Sequence, residues 1–240
     1  EVPPLRPRPV LGMDDMGMAG MKSSPAGAMD HGAMAGMAQD GAGGMAMGNM
    51  AMGNMNMRDT SLAPPGMDLG AGVDMIAMDP QDAAGKPGLG LEDAGHKVLV
   101  YTDLVALRTN PDPRMPSRSM QIHLTGNMER FMWSFDGRKF SEVVEPIRFA
   151  INERVRVTLV NDTMMQHPIH LHGHFFEVVN GHPGNHPRKH TVNVLPGSKI
   201  TFDLTADNPG DWAFHCHLLF HMHAGMFNVV TVRPLEGGAA

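Results

Sequence analysis

Residues 154–162 read RVRVTLVND, and residues 198–206 read SKITFDLTA. Apolar and polar side chains alternate in both stretches, which is typical of a β-strand with one buried face. Seven further segments are predicted strands: VLVYTDLVAL (98–107), SMQIHLTG (119–126), RFMWSFDG (130–137), PIRFAIN (146–152), HTVNVLP (190–196), DWAFHCH (211–217) and MFNVVTVR (226–233). Only LLFHMHAG (218–225) suggests a helical turn. Short strands separated by Asp-Gly and Pro-Gly turn signals predict an all-β, antiparallel sandwich of Greek-key type.

The amino-terminal third of the chain has a different composition. All but eight of the 24 methionines precede Gln81, interleaved with Gly, Ala, Asp and Asn. Such a stretch buries too little apolar surface to offset its chain entropy, so we expect it to be largely disordered. The sequence therefore predicts a mobile, methionine-rich segment at residues 1–90 and one folded domain at residues 91–236. Thioether sulfur suits Cu(I), which favours a copper-handling role over the alternative of an inert linker.

Charge and hydropathy exclude several classes of function. The formal net charge is −6 and the basic residues are scattered, so nucleic acid is not an expected partner. No apolar run approaches the roughly 20 residues that a membrane-spanning helix needs. Cys216 is the only cysteine, which rules out an internal disulfide.

Two histidine-rich motifs point to metal chemistry. They are HPIHLHGH at residues 167–174 and HCHLLFHMHAGM at residues 215–226. A lone histidine is usually an ordinary packed or solvated side chain. Two dense clusters on predicted strands, one of which holds the sole cysteine, predict metal binding.

The ligand types favour copper over zinc. A structural zinc site prefers several thiolates or a closed set of four ligands, whereas this chain offers one thiolate and many imidazoles. Two histidines, one cysteine and a weak axial methionine form blue-copper sites. Cys216, His221 and Met226 have the loop spacing for one half of such a site, and His167 from a separate strand completes it.

Side chains alternate along an extended strand, so His215 and His217 should face one way and Cys216 the other. His170 and His172 likewise share a face and are expected to meet His215 and His217. The HCH tripeptide would then serve two metal centres, with Cys216 as a short covalent bridge between them.

Together, the two motifs resemble the carboxy-terminal copper signature of the multicopper oxidases. Within that family the chain most resembles the bacterial copper-resistance oxidases of the CopA type. The likeness covers most of the chain and also rests on RPRPVLGMDDMGM (6–18), LTGNMERFMWSFDGRKFSE (124–142), RVTLVNDTMMQHPIHLHGH (156–174), PRKHTVNVLPG (187–197) and WAFHCHLLFHMHAGMF (212–227). The resemblance implies a cupredoxin-like domain that binds copper.

The resemblance also implies a role for each ligand candidate. The implied ligands are His167, Cys216, His221 and Met226 for type 1 copper, His170 for type 2 copper, and His172, His215 and His217 for the paired type 3 coppers. Cys216, His215 and His217 would also relay electrons from the type 1 site to the others. His174 and His223 match no ligand position and are expected to lie outside both sets.

In that family the trinuclear cluster needs four more histidines, in HxHG and HxH motifs of an amino-terminal domain. No such motif precedes His167 in this sequence. We therefore expect the chain to supply a type 1 site and half of the cluster. Amino-terminal cupredoxin domains or another subunit would supply the remaining ligands.

The implied function is a periplasmic copper-resistance oxidase that reduces dioxygen to water. The density of thioethers beside the site favours Cu(I) as the substrate, with phenol-like donors as secondary ones. Met164, Met165 and Met222 are candidates either for a Cu(I) entry site or for ordinary core. Two alternatives stay open: a non-enzymatic copper-binding or electron-transfer cupredoxin, and a copper nitrite reductase, which would not require both flanking histidines to face a cluster.

Overall fold

The alternating segments of the sequence form the strands of two sheets. A computed structural model describes residues 9–18 and 60–234 of the chain. The strands of this part are β1 (Gln81–Asp82), β2 (Arg118–Asn127), β3 (Met132–Phe135), β4 (Ile147–Ala150), β5 (Arg154–Asn161), β6 (His167–Leu171), β7 (Phe176–Val178), β8 (Arg188–Lys189), β9 (Thr191–Val194), β10 (Ser198–Thr205), β11 (Gly210–Cys216) and β12 (Phe227–Arg233).

The two sheets enclose a common apolar core. One sheet has the strand order β3-β2-β5-β10-β7-β8 with β1 also paired to β10, and the other has the order β4-β12-β11-β6-β9. Leu159 and Phe202 from the first sheet and Ile169 and Phe214 from the second are buried in a single hydrophobic cluster. The predicted all-β, cupredoxin-like Greek-key sandwich is confirmed.

The sheets are mixed, so the predicted antiparallel pairing holds for most strand pairs but not for all of them. Strands β2 and β5, β4 and β12, and β1 and β10 pair in parallel, whereas the other pairs are antiparallel. Parallel neighbours need a long crossover connection, and residues 128–153 provide one between β2 and β5. Local alternation indicates that a segment is a strand but does not show which strand lies beside it.

The predicted strand at residues 98–107 is also wrong. This segment contains a 3-10 helix at Tyr101–Asp103 and no strand. The Nδ2 atom of Asn180 donates to the carbonyls of Tyr101 and Leu104 at 2.6 and 2.8 Å. A side chain therefore satisfies backbone groups that a neighbouring strand would otherwise bind.

The predicted helical turn between the two halves of the second motif is confirmed. It is α1 (Leu219–Ala224), and it ends at Gly225, whose φ of 133° suits glycine. Within the described ranges, no helix has the length and apolar character needed to span a membrane.

Parts of the methionine-rich segment contact the sandwich. Residues 1–8 and 19–59 of that segment lie outside the described residues. Met75 and Ile76 are buried, and the backbone N–H of Ala77 donates to the buried carboxylate of Asp162 at 2.9 Å. The sequence pattern did not predict these contacts, and the domain boundary at residue 91 stays a prediction.

Candidate metal centres

One buried cluster contains a thiol and two imidazoles. Cys216 ends β11, His167 begins β6, and His221 lies in α1. The Sγ atom of Cys216 is 3.7 Å from Nδ1 of His167 and 3.7 Å from Nδ1 of His221, and the two Nδ1 atoms are 3.1 Å apart. Metal bonds of about 2.0 Å to nitrogen and 2.3 Å to sulfur place trigonal N and S ligands about 3.7 Å apart. The three atoms therefore fit around one ion.

Met226 lies against this cluster. Its side chain is fully buried, and its carbonyl accepts the backbone N–H of Cys216 at 3.1 Å. Its own N–H donates to the carbonyl of His221 at 2.9 Å. The turn after α1 thus holds the methionine backbone next to two of the three ligand residues.

Burial keeps the cluster uncharged before a metal binds. Burial, with a smaller effect of the neighbouring His221, lowers the pKa of His167 to about 3. Burial also lowers the pKa of His221 to about 4 and raises the pKa of the Cys216 thiol to about 11. At neutral pH the imidazoles therefore carry free lone pairs, and a bound metal must displace the thiol proton.

Thr163 orients His167, a role that the sequence analysis missed. The Nε2 atom of His167 donates to the hydroxyl of Thr163 at 2.7 Å, which turns Nδ1 towards Cys216. The hydroxyl in turn donates to Oδ1 of Asn161 at 2.8 Å. No local pattern signals this role, because it depends on the chain turning back after β5.

A second cluster consists of histidines on the opposite face of the same two strands, with His170 in β6, His172 just after it and His215 in β11. Ligand nitrogens of His170, His172 and His215 lie within 4.8 Å of one another. The Nε2 atoms of His172 and His215 are 3.1 Å apart. Nδ1 of His215 bonds to the carbonyl of Cys216, and Nδ1 of His170 bonds to the carbonyl of His190. Their Nε2 atoms are therefore available to a metal.

His217 lies beside this second cluster, just beyond the end of β11. Its ring centroid is 5.6 Å from that of His170 and 5.9 Å from that of His215. Its backbone N–H donates to the carbonyl of Pro168 at 2.6 Å, which ties it to β6. Burial lowers the pKa of His170 and of His215, so both are neutral at physiological pH and can act as ligands.

The side chains of the HCH tripeptide at residues 215–217 lie in or beside two different clusters. The Cys216 thiol points to the buried cluster, whereas the ring of His215 lies in the histidine cluster and that of His217 packs beside it. This division is the strand alternation that the sequence analysis expected. Two centres thus share one short covalent path through residues 215–217.

The other candidate residues lie outside both clusters. His174 is buried against the ring of Trp212, and His223 is exposed on α1. Met165 packs against the core, while Met164 and Met222 are only partly buried.

Comparison with known proteins agrees with this ligand chemistry. A family model described as "Multicopper oxidase" matches residues 113–236. The chain belongs to the multicopper oxidase family. Copper is the cofactor of that family, and a buried set of one thiol and two imidazoles suits it.

The similar proteins include copper-resistance proteins. A copper resistance protein A homolog from Pseudomonas syringae pv. tomato is 48% identical over 97% of this chain and 40% of its own length. Copper resistance protein A from Escherichia coli is 45% identical over 96% of this chain and 41% of its own length. Among solved structures, McoA multicopper oxidase from Aquifex aeolicus matches 52% of this chain and 31% of its own, with 23% identity and a TM-score of 0.45. The chain thus spans well under half the length of these relatives.

Proposed function

We propose that this chain forms the copper-binding carboxy-terminal part of a periplasmic, copper-dependent oxidase that acts in copper resistance. One observation carries the proposal: a single strand end supplies a thiol to a buried three-ligand cluster and an imidazole to a cluster of histidines. An isolated blue-copper domain needs only the first of these clusters. The similarity to copper resistance protein A supports the assignment to copper resistance.

In this proposal each cluster has a defined task. His167, Cys216, His221 and Met226 hold type 1 copper, while His170 serves type 2 copper and His172, His215 and His217 serve the type 3 pair. When bound, copper supplies one-electron redox chemistry and the reduction of dioxygen to water. The chain excludes water from the buried cluster and fixes its imidazoles. Through Cys216 and its flanking histidines, it also provides the relay between the two clusters.

The three histidines of the second cluster, together with His217 beside it, would form half of a trinuclear site. Amino-terminal cupredoxin domains or another subunit would supply the other half. A second candidate function follows from this point, because no HxHG or HxH motif precedes His167. On its own, the chain would then act as a copper-binding or electron-transfer cupredoxin.

A copper-loaded sample tests both functions. We expect the chain to show the intense visible band of a copper–thiolate bond, and Cys216→Ser to lack it. A near-ultraviolet band from a coupled copper pair, together with oxygen uptake, would support the oxidase. A visible band without either signal, even after the amino-terminal domains of a copper resistance protein A relative are added, would favour the cupredoxin. Absence of the visible band would refute both.

We propose Cu(I) as the physiological substrate, delivered by the methionine-rich segment, with phenol-like donors as secondary substrates. Thioethers bind Cu(I) well, and sixteen of the 24 methionines precede Gln81. The test replaces the methionines of residues 19–59 by glutamine and leaves the packed residues around Met75 intact. Bleaching of the visible band by Cu(I) should slow, while bleaching by hydroquinone should not. Equal Cu(I) rates in both proteins would exclude delivery by this segment.

A further inference from the structure

The two imidazoles of the buried cluster are held in different ways. His167 is fixed by its hydrogen bond to Thr163. For His221, the described residues offer no comparable side-chain partner, because its contacts at 3.7 and 3.1 Å are to the ligand atoms of Cys216 and His167. It also lies in a helix of only six residues, too short to be rigid without tertiary contacts. Something else must therefore fix the plane of its ring.

An indole ring covers the face of that imidazole. The ring of Trp133, in β3, stacks on His221 with a centroid distance of 4.3 Å and an interplanar angle of 14°. The indole is itself fixed, because the edge of Phe220 packs on it at 5.4 Å and 75°. Trp133 is buried, whereas Phe220 is 59% exposed and covers it from the solvent side.

The backbone holds helix and strand together at the same place. A side chain at Gly225 would lie 2.8 Å from the carbonyl oxygen of Trp133, so the residue that ends α1 packs closely against the backbone of β3. The N–H of Phe140 donates to the carbonyl of Gly225 at 3.0 Å and closes this contact. Close approach of the two elements thus keeps the indole on the imidazole.

We propose that Trp133 is a positioning residue of the type 1 site. Its indole fixes the imidazole plane of His221 so that Nδ1 faces the thiol of Cys216. Aromatic stacking restricts rotation of a ring about its own side-chain bonds, and groups that orient metal ligands contribute strongly to affinity. This inference rests on the proposed type 1 site and adds a residue that binds no metal itself.

The test compares Trp133→Leu with two matched variants of the full chain. Trp133→Phe keeps a flat face against His221. Phe135→Leu removes a buried aromatic ring from the same strand, but that ring stacks on Phe214 and not on a ligand. The measurements are Cu(II) affinity by chelator competition, the visible thiolate band and the copper hyperfine splitting.

Trp133→Leu should bind Cu(II) about tenfold more weakly and show a shifted visible band and an altered hyperfine splitting. Trp133→Phe and Phe135→Leu should keep the parental spectrum and lie within about twofold of the parental affinity. A parent without a thiolate band would refute the proposed type 1 site itself. A normal parent with identical spectra for Trp133→Leu and Phe135→Leu would refute only the role of Trp133.

A second variant keeps the test decisive if Trp133→Leu does not fold. A methyl group at Gly126 would lie 3.1 Å from Cδ1 of Trp133 and 3.2 Å from Cγ2 of Thr163. Gly126→Ala therefore pushes on the residues that fix both imidazoles without removing either. We expect a shifted thiolate band in this variant, and an unchanged band would count against the proposal.

Discussion

Replacing Thr163 by valine removes a hydroxyl that several buried groups share. The hydroxyl accepts from Nε2 of His167 at 2.7 Å and from the backbone N–H of Met165 at 3.2 Å, and it donates to Asn161. His167 is fully buried, so water does not replace the lost partner. A buried donor without a partner costs about 1–3 kcal/mol. With two donors affected, one of them only partly buried, we expect the free energy of unfolding to fall by about 2–4 kcal/mol.

The assay is urea unfolding of the metal-free chain, with Thr163→Ser as the matched control. Serine keeps the hydroxyl and loses one methyl group, which costs about 1 kcal/mol. Copper loading adds a second measurement, because His167 is free to turn in the valine variant and the visible band should shift. If the two variants unfold within about 0.5 kcal/mol of each other, the hydroxyl does not hold His167, and the account of this site is wrong.

Three further predictions follow from the same structure. Cys216→Ser should fold yet lose the copper–thiolate band, and any remaining visible band of that intensity would exclude Cys216 as a ligand. Gly137 has a φ of 81°, and a side chain there would lie 1.8 Å from the carbonyl oxygen of Asp68, so Gly137→Ala should lower the free energy of unfolding by more than about 1 kcal/mol in urea. The hydrogen bond from Arg114 lowers the pKa of Asp112, so the ion pair stabilises the fold above the unfolded-state value of 3.8 and this contribution is lost as the pH falls below it. Asp112→Asn should therefore destabilise the chain most at pH 7, and the loss should shrink gradually as the pH falls from 3.8 towards the much lower folded-state pKa; an equal loss at pH 7 and at pH 2 would contradict this.

The strands that the sequence predicted best are those whose two faces have different surroundings. Alternation in β5 and β10 reflects one face in the core and the other outside it, and both strands lie at the centre of their sheet. Residues 98–107 show that apolar residues alone are not sufficient, because Leu107 is fully exposed and the side chain of Asn180 binds the backbone there. The sequence could not predict the burial of Met75 either, since that burial depends on partners far along the chain.

The ligand clusters were easier to predict than the residues that orient them. The ligands are concentrated in two short motifs, and strand alternation alone separates Cys216 from His215. Thr163 and Trp133 act through contacts between different elements, across the turn after β5 and between β3 and α1. Composition and spacing carry no signal for such contacts. A tryptophan in a predicted strand is nevertheless a reasonable candidate for a residue that orients a ligand.

Because residues 215–217 serve both clusters, the number of residues in β11 cannot change without disturbing them. Inserting or deleting one residue within β11 would reverse the faces of every side chain that follows, turning the Cys216 thiol outwards and the His215 imidazole into the core. Substitutions at neighbouring positions leave that orientation unchanged. During divergence, this stretch can therefore vary in composition but not in residue count, and any loop of variable length must lie outside Gly210–Cys216.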